Sequence, residues 1–130
     1  MNFNYIFSDI LIRIKNGYNL NHKYVEIPHT YLASNILKLL YTEGLISNYF
    51  IKLNTINYLV KLKYSKRKTL FNQVIFISKP GRRIYCTVKL LKRKYWYKPF
   101  VIVSTTKGLM LHREAVNNNL GGEVMCVIEY

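Results

Sequence analysis

Val103-Ser-Thr-Thr-Lys-Gly-Leu-Met-Leu-His-Arg-Glu-Ala-Val-Asn-Asn-Asn-Leu-Gly-Gly-Glu-Val124 decides the fold of the C-terminal half. An apolar, mostly β-branched run over residues 100–103 leads into three hydroxyl side chains, a lysine and a glycine. The run favours a strand, and the hydroxyl-Lys-Gly set favours a turn. A short helical stretch over about residues 112–118 follows, then Gly121-Gly122 and a last apolar strand over residues 124–130. Ser104, Thr105 and Thr106 are small donor-acceptors, Lys107 is a point charge, and Gly108 lets a backbone come close. Such a set can meet sugar hydroxyls, base edges and phosphates together.

Upstream, Ile6, Phe7, Ile10, Leu11 and Ile14 recur at helical spacing, and Asn16-Gly17 supplies a stop. Residues 24–27 alternate as a short strand ending at Pro28. Thr30 caps a second helix whose Leu32, Ile36, Leu39 and Leu40 face the core, and Gly44 ends it with Leu45 as the accompanying apolar contact. Residues 46–53 and 58–64 read as a hairpin turning at residues 54–57. Further strands are expected at residues 70–78, 84–88 and 100–105. The fold class is therefore α+β in two packed lobes. Residues 1–66 form an α/β lobe ordered helix-strand-helix-strand-strand, and residues 67–130 a mostly antiparallel β lobe with one short helix. Lys61, Lys63, Lys66, Arg67 and Lys68 mark the boundary, and no Gly/Ser linker separates the lobes.

The chain has 130 residues, 50% of them hydrophobic, with a formal charge of +14. It is too apolar for a disordered basic tail, and no apolar run reaches the roughly 18 residues needed to span a bilayer. Only six acids occur, and the stretch between Glu43 and Glu114 holds 16 Lys and Arg without one acid. Such a block repels itself unless a polyanion neutralises it, which favours a nucleic-acid partner over a merely solvated basic face. Cys86 and Cys126 fall in expected strands without metal-ligand spacing, and read as small buried hydrophobes. His22, His29 and His112 lack ligand spacing as well, and His112 reads as a satisfied histidine at a helix start. No nucleophile or convergent acid pair accompanies it, so neither catalysis nor a cofactor is expected.

The segment quoted above resembles the C-terminal signature of the small-subunit ribosomal protein eight family, whose bacterial members carry Ser-Thr-Ser-Lys-Gly and Gly-Gly-Glu there. Asp9-Ile-Leu-Ile-Arg-Ile-Lys-Asn-Gly17 resembles the family's opening helix, and Tyr41-Thr-Glu-Gly-Leu-Ile46 the end of its second. Ser78-Lys-Pro-Gly-Arg-Arg-Ile-Tyr85 resembles its Ser-Arg-Pro-Gly-x-Arg-Ile-Tyr turn. The resemblance implies a structural protein that binds the central domain of small-subunit rRNA early, clamps an irregular stem between its lobes, and touches neighbouring ribosomal proteins. It implies RNA contacts from Ser104, Thr105, Thr106, Lys107 and Gly108, with Glu123 organising that surface. Lys79, Arg82, Arg83 and Tyr85 form a cationic turn beside a ring that can stack on unpaired bases. Lysine at position 79, where the family usually has arginine, keeps the charge but loses the bidentate fork. Arg13 and Asn16 match first-helix RNA positions. Tyr5-Ile6 and Ile12 stand where hydrogen-bonding residues are common, which reduces or relocates that contact.

Residues 89–98 (Lys-Leu-Leu-Lys-Arg-Lys-Tyr-Trp-Tyr-Lys) depart most from the family, which usually has an acidic-to-neutral loop there. Two readings stay open. Lys92, Arg93, Lys94 and Trp96 add RNA or protein contacts, or the aromatics pack on the sheet while the lysines face water. A basic peripheral membrane protein is the alternative from another class; it needs an amphipathic basic helix, whereas this cluster reads as strands and turns. Non-ribosomal RNA binding is the other alternative. Asn, Ile, Lys, Tyr and Phe are abundant, and their codons are A/T-rich. With the resemblance beginning in the first ten residues and leaving no room for a presequence, a mitochondrial ribosome is expected, with a plastid ribosome or an A/T-rich bacterium next.

Overall fold

The computed structural model describes residues 3–64 and 71–129, with side chains from Tyr5 onward. Contacts divide the chain into two units, Met1–Gln73 with Tyr130, and Val74–Glu129. The boundary expected at residue 66, with Lys66, Arg67 and Lys68, lies outside the described residues.

In the N-terminal unit, α1 (Phe3–Asn19) and α2 (Tyr31–Thr42) alternate with β1 (Tyr24–Pro28), β2 (Asn48–Ile51) and β3 (Asn57–Lys61). The strands form an antiparallel sheet of order β1-β3-β2. Pro28, which cannot donate to a ladder, closes an edge strand. Phe7, Ile10, Leu11, Ile14 and Tyr18 are the buried stripe of α1, as the spacing requires. Thr30 caps α2, its hydroxyl accepting from the Ala33 N–H at 3.0 Å. The Tyr18 hydroxyl donates to the Leu45 carbonyl at 2.6 Å and accepts from the Lys63 N–H at 3.1 Å, tying α1 to both chain segments beyond α2.

Asn16-Gly17 does not stop α1, which runs on to Asn19. Gly17 serves proximity instead: a Cβ there would lie 2.3 Å from Cγ2 of Val25, a short, stiff side chain. The stop comes from Asn21 at φ +57, where the Asn21 N–H reaches the Tyr18 carbonyl and the His22 N–H reaches that of Gly17. The same pair of reversed bonds closes α2 at Gly44 (φ +77), as expected, with Leu45 buried beside it.

The C-terminal unit contains β4 (Gln73–Phe76, reaching one residue across the boundary), β5 (Tyr85–Cys86), α3 (Val88–Tyr95), β6 (Phe100–Thr105), β7 (Gly108–Leu111), α4 (His112–Asn117) and β8 (Gly122–Glu129). Its sheet runs β4-β8-β6-β7, with β5 also paired to β8. The central strand β8 is buried from Glu123 to Ile128, which explains its unbroken apolar run. One β-bulge places Met125 as an extra residue between the Ile102–Cys126 and Val103–Val124 pairs. Val101, Val103, Met110, Val124 and Val127 pack with Leu91 and Tyr95 of α3 and Ala115 of α4 into one core. α4 ends like the other two helices, with Asn119 at φ +56 and the Leu120 N–H on the Ala115 carbonyl at 2.8 Å.

Two expectations for this unit are corrected. The stretch 89–98 is not a loop: its first part is helix α3, so the unit has two helices rather than one. Thr87 accepts from the Leu90 N–H as N-cap, which also cuts the strand expected over 84–88 to two residues. Leu91 and Tyr95, one helical turn apart, supply the buried stripe. The segment after Gly108 is also a strand, β7, hydrogen-bonded to β6, where only turn and helix were expected.

Candidate nucleic-acid interface

Register builds the surface. Tyr85 pairs with Glu123, and Glu123 with Ser104, so these three stand in one row across β5, β8 and β6. Directly paired residues point to the same face, and the two flanking rows, Cys86 with Gly122 on one side and Val103 with Val124 on the other, send Cys86, Val103 and Val124 to the core on the opposite face. The expected sites Tyr85, Glu123 and Ser104 are therefore neighbours away from α3 and α4. Tyr85 is 64% exposed, whereas Glu123 is only 8% exposed, with one carboxylate oxygen unpartnered and Arg83 at 4.0 Å from the other.

Beyond Ser104 the chain turns as a hairpin. Thr105 pairs with Gly108 across a two-residue tip, Thr106-Lys107, and all but Thr105 of this group are exposed. Thr106 and Lys107 avoid positive φ, while Gly108 adopts φ +105, so the left-handed step falls on the one residue without a Cβ. The Thr105 hydroxyl donates to the Gly108 carbonyl at 2.9 Å and accepts from the Lys107 N–H at 3.2 Å. Thr105 is thus spent on shaping the tip, leaving Ser104, Thr106 and Lys107 to offer hydrogen bonds and charge.

Gly121-Gly122 serves close approach of backbones rather than a turn. A Cβ on Gly121 would lie 2.7 Å from the Cys86 carbonyl oxygen, and one on Gly122 would lie 2.2 Å from that of Ser104. The two glycines let β8 enter between β5 and β6, and that entry creates the Tyr85–Glu123–Ser104 row.

The cationic turn is a tight hairpin in which Lys79 and Arg82 exchange both backbone hydrogen bonds across Pro80-Gly81. Ser78 braces it from below, its buried hydroxyl accepting from the Ile84 N–H and donating to the Ile84 carbonyl. Sequence reasoning quoted Ser78 without giving it a role; the small polar residue directly before Lys-Pro-Gly was the available signal. Arg13 and Asn16 lie on α1 in the N-terminal unit, where Arg13 is ion-paired with Asp9 at 3.0 Å and both border a hollow with Tyr24 and Glu26.

Lys92, Arg93 and Lys94 are exposed on α3, in its last turn, where cations suit the helix dipole. Trp96 follows the helix with its ring under the Arg113 guanidinium at 5.7 Å and edge-on to His112. One face of the indole is therefore occupied by the protein itself.

His112 starts α4 as expected, but it is not satisfied. It is fully buried and neither ring nitrogen makes a hydrogen bond. Burial holds its pKa below the ordinary histidine value, outweighing the nearby Trp96 carbonyl, so the ring is neutral. The unfolded chain then binds more protons than the folded one as pH falls below about 6.5, and stability must fall with it. Urea unfolding at a series of pH values from neutral to 5 is expected to show this decline, and His112→Phe to reduce its slope.

Among the described residues no group of His, Cys, Asp and Glu could hold a metal, and no helix is long and apolar enough to cross a membrane. Fold and surface together define a basic α+β protein that presents hydroxyls and cations from a sheet rim. The family model described as Ribosomal protein S8 matches residues 6–128. The chain is 39% identical over 125 residues to small ribosomal subunit protein uS8 of Flavobacterium johnsoniae, covering 93% of this chain and 95% of the relative. It is 38% identical over 124 residues to uS8 of Mycoplasmopsis synoviae (93% and 94%), and 37% identical over 125 residues to uS8c of Thalassiosira pseudonana (93% and 95%). The chain belongs to the ribosomal protein S8 family, which is structural rather than enzymatic.

Proposed function

We propose that this chain is a structural constituent of the small ribosomal subunit that binds the central domain of small-subunit rRNA and supports its assembly and translation. The observation that carries the reading is the Tyr85–Glu123–Ser104 row continued by the Thr105–Gly108 hairpin. It presents an exposed ring, free hydroxyls and a lysine side by side, the groups that recognise unpaired bases and ribose in an irregular stem. The deep groove of A-form RNA is closed to side chains, so recognition is by shape, with Lys79, Arg82 and Lys107 on phosphates and Arg83 beside Glu123 at the row. Arg13 and Asn16 add contacts from the N-terminal unit, and neighbouring small-subunit proteins are further partners. Codon-biased composition, rich in Asn, Ile, Lys and Tyr, supports a mitochondrial ribosome as the particle.

The membrane reading needs a new ground for rejection, because the cationic cluster does lie on a helix. The apolar residues Leu91 and Tyr95 of α3 are buried in the protein core, and the exposed Leu90 alone does not make the broad apolar face that lipid requires.

The test is binding of the purified chain to a transcribed central-domain fragment and to a regular RNA duplex of equal length. Preferential binding of the fragment is expected. Thr105→Val, which removes both tip-shaping hydrogen bonds at nearly constant volume, is expected to weaken it about tenfold, since each such bond is worth about 1 kcal/mol. Equal affinity for duplex and fragment would overturn the reading.

A further inference from the structure

The turn at residues 79–83 divides its cations between two faces. Strand alternation sends Arg83 and Tyr85 to the face of Glu123, and Ile77, Lys79, Arg82 and Ile84 to the face covered by α3. Lys79 and Arg82 are directly paired, so their side chains leave the turn together. On that second face lies a groove of about 400 Å³, bordered by Lys79 and Arg82 from the turn and by Lys94 and Tyr95 from α3, over a floor of Phe76, Ile77 and Ile84.

Three positive charges thus border one hollow, and none has an ion pair among the described residues. No carboxylate borders it. Cations repel one another, and over an apolar floor the repulsion is less screened than in open solvent. The C-terminal end of α3 contributes only about half a negative charge, too little to balance three cations. Something anionic must complete the site. Its width suits a tetrahedral oxyanion with its waters, and the neighbouring row defines which one.

We infer that this groove holds a backbone phosphate of the bound RNA, clasped by Lys79 and Arg82 on one side and Lys94 on the other. The inference rests on the RNA-binding reading and adds to it: the RNA passes around the turn, its unpaired nucleotides on the Tyr85–Ser104 face and an adjacent phosphate on the α3 face. Lys94 is then an RNA ligand distinct from the other cations of α3, which do not line this groove. Tyr95 lines the same space, and burial pushes its hydroxyl above the ordinary tyrosine value, so it stays protonated.

The full-length chain and the central-domain fragment are titrated over a range of salt concentrations. Lys94→Ala and Arg82→Ala are each expected to reduce the salt slope, by at most about one, and to weaken binding about tenfold near 0.1 M salt. The double variant should lose less than the sum of the two, because both residues hold the same phosphate. Lys38→Ala on α2 removes the same charge from an exposed helix and is expected to change little. Lys94→Arg should restore binding. An unchanged slope for Lys94→Ala, a loss equal to that of Lys38→Ala, or strictly additive losses would each overturn the shared phosphate site while leaving RNA binding itself standing. Failure of the unsubstituted chain to bind would overturn the parent reading instead, and this one with it.

Discussion

Gly122→Ala is expected to destabilise the C-terminal unit by about 3 kcal/mol or more, at or beyond the upper end for overpacked sites. The added methyl would lie 2.2 Å from the Ser104 carbonyl oxygen and 3.2 Å from Cγ1 of Val103. Neither can yield cheaply. The carbonyl belongs to β6, which is hydrogen-bonded to β8 on one side and β7 on the other. Relief requires the start of β8 to move off β6, and the Ser104–Glu123 pairing would go with it. A local loss of order around Glu123 would therefore accompany the fall in urea midpoint, and RNA affinity should drop even where the protein stays folded. A variant with unchanged stability would show that β8 and β6 are farther apart than described. Gly81→Ala is the contrast, since a Cβ there meets nothing within 4 Å.

The second large effect is electrostatic. Lys79, Arg82, Lys92, Arg93, Lys94 and Lys107 form no ion pair among the described residues. With Lys79, Arg82 and Lys94 sharing one phosphate and the other three neutralising one each, four phosphates give a slope of log affinity against log salt of roughly −3 to −4, using a per-phosphate factor of about 0.7 to 0.9. Raising salt from about 50 to about 200 mM should then cost on the order of a hundredfold in affinity. Arg13 and Arg83 are counted out because Asp9 and Glu123 already balance them. A flat salt response would exclude phosphate neutralisation as the main source of affinity, whatever the remaining contacts.

Periodicity disclosed the N-terminal unit almost whole, because α1 and α2 carry long apolar stripes and α2 is bracketed by Thr30 and Gly44. Strand ends were overestimated: residues 46–53 became Asn48–Ile51, since apolar composition does not say where a partner strand stops. Helix α3 was hidden by its brevity and its mixture of lysines with aromatics, which suits a loop as well as a helix until Leu91 and Tyr95 find a core. Strand β7, Gly-Leu-Met-Leu, offers neither alternation nor β-branching and exists because β6 is there to pair with it. Candidate site residues could be named from the sequence, but their grouping could not. Which cation of Lys79-Pro-Gly-Arg-Arg faces Glu123 and which faces Lys94 depends on register, and no local pattern encodes that.

The residues with left-handed backbone separate two demands that glycine ordinarily meets at once. Asn21, Asn54 and Asn119 stand where only the sign of φ matters, and asparagine tolerates it. Gly17, Gly121 and Gly122 stand where a methyl has no room. A gene drifting toward adenine and thymine can trade glycine codons for asparagine at the first kind of site without wrecking the helix ends. At the second kind it cannot, because no side chain fits where two backbones nearly touch or where, as at Gly17, a stiff side chain already stands.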